Sequence, residues 1–548
     1  GKSHPDPYGE QFQKFRFCMR SILDGSQQLE VGGGDTHASF SPWNKRPSKL
    51  ELDDLADSWV WFDWFSVPQA TAHAEFALAV RSIPSFVDSC RYFVALVPAL
   101  MHADSGLECS FRTWLQRGWC RAEMWCRLLC DKFPTPIILV LDDDHALYAQ
   151  PSQCLHFPPH TGQFSVERDR GEVNKFVKVA LDDKILKLEK ARTKRSVCRY
   201  FKARYTEILG LPDEKRNPSS FVFHFGFNSY DEAVLDNRGV NAMACATLSK
   251  DVKVMDWLVR SGAPVNLEIT GLGAVDVPDG WTPLHIAANF SHQDVAPLQQ
   301  LLDKRANPNA TDDAGVPALS VCTSALAVRK LVEYRADVNL KRWGSFRSPL
   351  QSSCARFSPP EAVAALIECR ATVDSGALVH LAASAIIHPH CEQLAQVLIA
   401  SRADVDGGRP GGMYRLVELA CRSQVMMTKR PPLLVQYLAE WSSTPLGHAC
   451  FWGSANLAAF LLGAGADPDA PNYRGHTPTQ LARHHRVKDL LEKTKSGNFL
   501  GVESPAEVSE GKAPTNSLEM DFFSGRRLSA GAESCHSVCL EDDPHFSV

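Results

Sequence analysis

The stretch DGWTPLHIAANFSHQDVAPLQQLLDKRANPNA, residues 279–310, decides the architecture of this chain. Pro283 stands at the first turn of a helix, where its missing N–H removes no hydrogen bond. Leu284, Ala287 and Ala288 then give a narrow apolar face that lets a neighbouring helix approach closely. Val295, Leu298, Leu301 and Leu302 repeat at i, i+3, i+6 and i+7, the spacing of a second amphipathic helix. Lys304 to Pro308 turns the chain onward. A helix pair this short cannot bury its own apolar face, so the stretch predicts a stack of similar units.

The stack is visible as a recurring ending, a small residue followed by an apolar residue and Asn or Asp. It stands at Ala263–Asn266, Ala306–Asn309, Ala336–Asn339, Ala371–Asp374, Ala403–Asp406 and Ala466–Asp469. The final residues are separated by 43, 30, 35, 32 and 63 positions. The step of 63 is about two periods, which predicts a unit with a lost signature between, its second helix at Leu433 to Ala439. The step of 43 holds an insertion, Leu267 to Pro278. A shortened last unit begins at Gly475-His-Thr-Pro-Thr-Gln-Leu-Ala482 and ends at Leu491.

Thr282, Pro283, Leu284, His285, Ala287 and Ala288 closely resemble the T-P-L-H-x-A-A core of ankyrin repeats. The resemblance implies an all-α solenoid of seven or eight repeats over residues 239–494 that binds protein partners. It places candidate contact residues before the helices: Trp281 and Asn289 in the best unit, and Tyr473, Arg474 and His476 in the last. It makes His285 a structural histidine bonded within its own turn. No catalysis is expected of such a surface.

The N-terminal region, residues 1–165, alternates helical and strand patterns. Phe12, Phe15, Met19, Ile22 and Leu23 mark a helix. Residues 24–50 read as a long loop. Trp59 to Phe65 is an aromatic strand, Phe76, Val80, Ile83 and Val87 a helix, and Arg91 to Pro98 a buried strand. A helix follows from Gly118 to Leu129, then a strand from Pro136 to Asp142 with acids at its carboxyl end. Continuous apolar strands alternating with helices predict a parallel sheet covered on both faces, with function at the strands' carboxyl ends.

Trp61-Phe-Asp63, Ala79–Ile83, Cys90–Pro98 and Trp119-Cys-x-x-Glu123 resemble a TIR domain and its relatives in heterokaryon-incompatibility-type proteins. That resemblance implies a flavodoxin-like α/β domain able to self-associate. In members that cleave NAD it makes Glu123 the catalytic acid, with Asp63 a second polar group and NAD the substrate. A carboxylate there stabilises an oxocarbenium-like state at the nicotinamide–ribose bond. The competing reading is that Glu123 sits in a first helical turn, where acids are favoured, and that Asp63 ends a strand.

Residues 166–238 read as a helical, basic linker. From Lys184 to Arg204 it holds nine Lys/Arg against one Glu. Such a run is either a solvated face or a contact for phosphate or anionic lipid. Residues 495–548 read as a disordered acidic tail in which Arg526-Arg-Leu-Ser529 matches a basophilic kinase pattern, making Ser529 a candidate phosphorylation site.

Bulk composition adds limits. The chain has 548 residues, 44% of them apolar, and a net charge of −5, which carries no global nucleic-acid signature. Its 17 cysteines are scattered and odd in number. They read as small buried residues of a protein in a reducing, cytoplasmic setting. Cys126 and Cys130 alone approach a zinc spacing, without a second pair. Gly271-Leu-Gly273 lacks the rest of a nucleotide-binding fingerprint, and His484-His485 reads as a solvated helix end. No resident metal or cofactor is expected, nor a membrane-spanning run. The chain begins at Gly1 rather than Met, so its start says nothing about a targeting segment.

Overall fold

The computed structural model describes residues 6–29, 48–63, 73–103, 106, 108–132, 136–149, 155–191, 194–275, 277–290, 292, 294–341, 347–408, 413–496 and 537–541. The N-terminal part contains α1 (Glu10–Leu23), α2 (Lys49–Ala56), β1 (Trp59–Phe62), α3 (His73–Ser89) and β2 (Tyr92–Leu96). A two-stranded ribbon, β3 (Leu100–Met101) with β4 (Glu108–Cys109), leads to α4 (Phe111–Gln116) and α5 (Gly118–Leu129). The hairpin β5 (Ile137–Asp142) and β6 (His145–Ala149) follows.

The sheet order is β1-β7-β2-β5-β6, where β7 is Ser537–Glu541 from the far end of the chain. β2 and β5 run parallel, but β6 is antiparallel to β5, and β7 is antiparallel to both β1 and β2. The sheet is therefore mixed rather than parallel. The reason is local: Asp143 and Asp144 form a two-residue turn that sends the chain straight back, with Asp142 opposite His145. β7 also means that the tail assigned to disorder contributes a strand. Ser529 lies outside the described residues.

Both faces of the sheet are covered, as expected. Tyr92, Val94 and Leu96 of β2 pack with Ile138 and Val140 against Phe15, Cys18 and Ile22 of α1 and Leu55 of α2. Their alternates, Phe93, Ala95, Ile137 and Leu139, join Val80, Ile83 and Val87 of α3 and Trp125 of α5 on the other side. This is the period-2 alternation of a strand buried on two faces.

The start of the segment read as a helical, basic linker forms three helices: α6 (Asp169–Ala191), α7 (Arg195–Ala203) and α8 (Tyr205–Leu209). Much of its charge is paired internally. Lys184 meets Asp131, Lys187 meets Asp183 and Lys202 meets Glu189. Arg199 is buried against Asp236 at 3.0 Å and lies over the Phe227 ring. Arg204 is buried with Glu207 and Tyr200. The run therefore serves as packing for the stack more than as a free cationic surface. The presumed linker is folded too, as α9 (Pro218–His224) and α10 (Tyr230–Leu235).

The repeat units follow as helix pairs. The first is α11 (Ala242–Leu248) with α12 (Val252–Arg260), and the second α13 (Pro283–Phe290) with α14 (Ala296–Asp303). The third pairs a 3-10 turn, Ala318–Val321, with α15 (Ala325–Glu333). The fourth is α16 (Pro349–Ala355) with α17 (Pro360–Glu368), and the fifth α18 (Ser375–Ser384) with α19 (Cys391–Ala400). After α20 (Met413–Met427) and α21 (Leu433–Leu438) come α22 (Pro445–Trp452) with α23 (Ala455–Gly463), and a last short pair, α24 (Pro478–Leu481) with α25 (His485–Lys495).

α20 and α21 do not form a unit of the stack. α18 packs directly on α22, and α19 on α23. The expected unit in the 63-residue gap is instead a helical hairpin extruded from the stack, which has seven units. α21 lies against the first helices of the flanking units: Tyr437 and Trp441 pack with Ala383, Phe451 and Trp452.

Candidate binding surfaces of the repeat stack

Units end in fingers, and Asn266, Asn309 and Asn339 of the repeating signature each tie one finger to the next. The backbone N–H of Asn307 donates to Asn266 Oδ1 at 2.8 Å. Asp337 donates to Asn309 at 2.8 Å, and Thr372 to Asn339 at 2.8 Å. Asn309 and Asn339 also donate from Nδ2 to the carbonyls of Arg335 and Arg370. The side-chain amide thus satisfies both partners across the gap, which is why this residue type recurs there.

The residue before each finger is left-handed. Gly262 and Gly465 fill two of these positions, but Arg305, Arg335, Arg370 and Arg402 fill four, with φ between 65° and 70°. The position marks a helix C-terminus that usually takes glycine. All four arginines are exposed.

His285 behaves as the T-P-L-H pattern implies. Its Nδ1 accepts from the Thr282 N–H at 3.1 Å, and its Nε2 donates to the Val316 carbonyl at 3.1 Å. It bolts the second unit to the third, and burial holds its pKa down to about 4.

The edge of the stack opposite the fingers, formed by the turns within each helix pair, is covered by the N-terminal region. His156 stacks near Phe290 and Phe157 meets Phe357. Arg204 lies 4.2 Å from the Phe290 ring. Arg112 pairs with Glu392 at 2.5 Å, and Arg486 with Glu108 at 3.1 Å. At the far end His484 is not a solvated residue. Its ring stacks on His145 of β6 at 3.7 Å, and its Nδ1 donates to the Asp144 carbonyl. The Asp144 carboxylate accepts from the His485 N–H. Burial opposes ionisation of Asp144, but bonds from His484 and His485 outweigh it and draw its pKa down to about 2.

The structure separates the residues named from sequence. Trp281 is 2% exposed and stacks on His285, and Asn289 is also buried; both belong to the packing of their unit. Tyr473 is 55% exposed, with Arg415 of α20 at 4.3 Å from its ring. Arg474 pairs with Glu440, and His476 lies 3.1 Å from the same carboxylate. The last finger therefore anchors the extruded hairpin. Exposed finger positions not singled out from sequence include Glu268, Asp313 and Lys341.

Glu123 and Asp63 are 5% and 4% exposed. The cleft where the sheet's strand ends meet the stack is lined by Val97, Leu141, Asp142, His388 and Gly453 among others, and by neither carboxylate. Cys126 is fully buried and its thiol is pushed far up by burial, so it is not poised to bind metal as a thiolate. Among the described residues, Asp143, Asp144 and His485 are close enough to share an ion, but the histidine is exposed and the acids serve the contact just described.

A model of three ankyrin repeats matches residues 242–342, and a single ankyrin-repeat model matches residues 442–473. The chain is an ankyrin-repeat protein. Between the two matches, residues 343–441 hold the fourth and fifth ankyrin units and the extruded hairpin. Protein phosphatase 1 regulatory subunit 27 of Mus musculus is 34% identical over 110 residues, 19% of this chain and 69% of that protein. Two solved ankyrin-repeat domains are also similar. That of Bcl-3, described as a unique member of the IkappaB family, is 20% identical at a TM-score of 0.31. It covers 46% of this chain and 99% of its own. That of human ASB11 is 22% identical at 0.25, covering 39% and 98%. The matched models lie within the repeats, and the TIR resemblance of the N-terminal region has no counterpart among them.

Proposed function

We propose that this chain is a scaffold or signalling adaptor, working in the cytoplasm, that holds a protein partner on the fingers of its leading ankyrin units. The observation that supports this reading is the covered turn edge. Arg112–Glu392, Arg486–Glu108 and the His145–His484 stack commit that edge to the N-terminal region. In the fifth and sixth units the first helices are covered by α21. The fingers of the first four units stay exposed for a partner, and binding energy there concentrates in a few anchors. The N-terminal region acts as a rigid backing and not as an NAD-cleaving domain, since burial of Glu123 leaves no cleft for a ribose.

The first partner to try is the catalytic subunit of protein phosphatase 1, because the curated relative carries that enzyme in its name. Calorimetric titration of the full chain with that subunit should give saturable binding. Reversing the finger charges (Glu268→Lys, Asp313→Lys, Lys341→Glu) should weaken it, whereas reversing Lys253 and Glu361 on outer helices should not. Binding lost only with the outer pair would refute the finger surface.

A further inference from the structure

The extruded hairpin presents an exposed apolar helix face away from the fingers. α20 has 15 residues, whereas the labelled first helices of the ankyrin units before the last have 7 to 10. Those helices are nearly buried throughout; α20 is buried on one side only. Val417 packs against the Tyr437–Trp441 cluster, and Glu418 accepts from Arg422 at 2.6 Å and from Ser442 at 2.8 Å. The opposite face shows Leu416, Leu419 and Ala420 to solvent, then Met426 and Met427 at 85% and 86% exposure. That is an apolar stripe at i, i+3, i+4, i+10 and i+11, the pattern by which a helix enters a groove.

Charge selects the occupant. Residues 413–430 hold Arg415, Arg422, Lys429 and Arg430 against Glu418 alone, and since Glu418 is buried and paired with Arg422, Arg415, Lys429 and Arg430 are the cations in excess. A second copy of the chain fits poorly. Antiparallel pairing of two such helices sets Arg415 beside the other copy's Lys429, and parallel pairing sets Arg415 beside Arg415. A lipid surface also fits poorly, because the whole chain carries −5 and the exposed stripe has no aromatic anchor. A basic amphipathic helix with leucine and methionine outward is what a calcium-opened EF-hand groove takes, since that groove is rich in adaptable methionine.

We propose that the outward face of α20 docks into a calcium-loaded EF-hand groove of the calmodulin type. One lobe suffices, because only one face of the helix is free. The site is independent of the finger surface.

The test is calorimetric titration of the full chain with purified calmodulin. The expected result is saturable one-to-one binding in calcium and none in EGTA. Leu419→Glu with Met427→Glu should lower affinity about 30-fold, the loss expected for two anchors. Both positions are exposed, so the variant should keep its circular dichroism spectrum. Leu326→Glu, at an exposed leucine on α15, should leave affinity unchanged. No binding in calcium, or binding that the double variant leaves intact, overturns the proposal. So does a dimer or an anionic-vesicle interaction that the double variant abolishes in place of calmodulin binding.

Discussion

The backbone N–H of Asp467 donates to Asp406 Oδ1 at 2.9 Å, although 61 residues separate them in sequence. It is the bond that joins neighbouring fingers elsewhere in the stack. It shows that the fifth and sixth ankyrin units are adjacent and that everything between them is an excursion. At the equivalent positions in the first three units the acceptor is Asn266, Asn309 and Asn339.

An aspartate is the weaker choice at this point. Burial raises the Asp406 pKa, the bond from the Asp467 N–H offsets part of this, and the nearby Asp467 and Asp404 carboxylates raise it again, so on balance its charge opposes folding at neutral pH. Asp406→Asn keeps the acceptor and removes the charge. It should stabilise the chain by about 0.5 kcal/mol at pH 7, a gain kept small by solvent screening. Urea midpoints at pH 7 read the effect, and a loss of stability would count against the ladder.

Acid should unfold this protein early. Burial holds His156 and His388 down to about 3 and His285 to about 4. The unfolded chain takes up these protons near pH 6.5, and the folded chain does not. The stabilisation is therefore full above 6.5 and falls as pH drops below it. Each such histidine removes about 1.4 kcal/mol per pH unit in that window. Urea midpoints at pH 7.5, 6.5 and 5.5 should fall steeply over the last step; a flat profile would show the imidazoles to be solvated.

Trp281 fills the core of its unit, so Trp281→Ala should cost about 3–5 kcal/mol. Any loss of partner binding in that variant would report an opened unit, not a lost contact. A variant with unchanged stability and weakened binding would instead restore Trp281 as a surface anchor.

Arg335 sits at φ 69° with its side chain exposed. Arg335→Gly relieves the left-handed strain at the cost of chain entropy and should raise stability by up to about 1 kcal/mol. Denaturant titration decides; a loss would mean that the arginine makes contacts worth more than the strain.

Much of the stack was legible because its units repeat a bonding scheme. The Asn of each ending bonds the next finger, and Thr282, Pro283 and His285 build the turn they resemble. The extruded hairpin was not legible, since 63 residues is nearly two periods and Leu433 to Ala439 is helical on either reading. Trp281 was taken for a surface residue because it precedes a helix. The finger folds it inward, bridging Ile269 to Trp281. β6 was hidden because His145-Ala-Leu-Tyr-Ala149 is buried throughout and shows no alternation, and the acids after the strand ending at Asp142 are a turn. The likeness around Glu123 followed the local pattern of α5, but burial of that helix depends on α3 and α6, which no short motif encodes.

Hydrogen–deuterium exchange on the full chain, alone and with its proposed partner bound, tests the central claim most directly. The account predicts slowed exchange at the fingers, over residues 264–270, 307–313 and 337–341, with the turns at 385–392 and 453–456 unchanged because the N-terminal region already covers them. Slowed exchange confined to those turns, with the fingers unaffected, would contradict it.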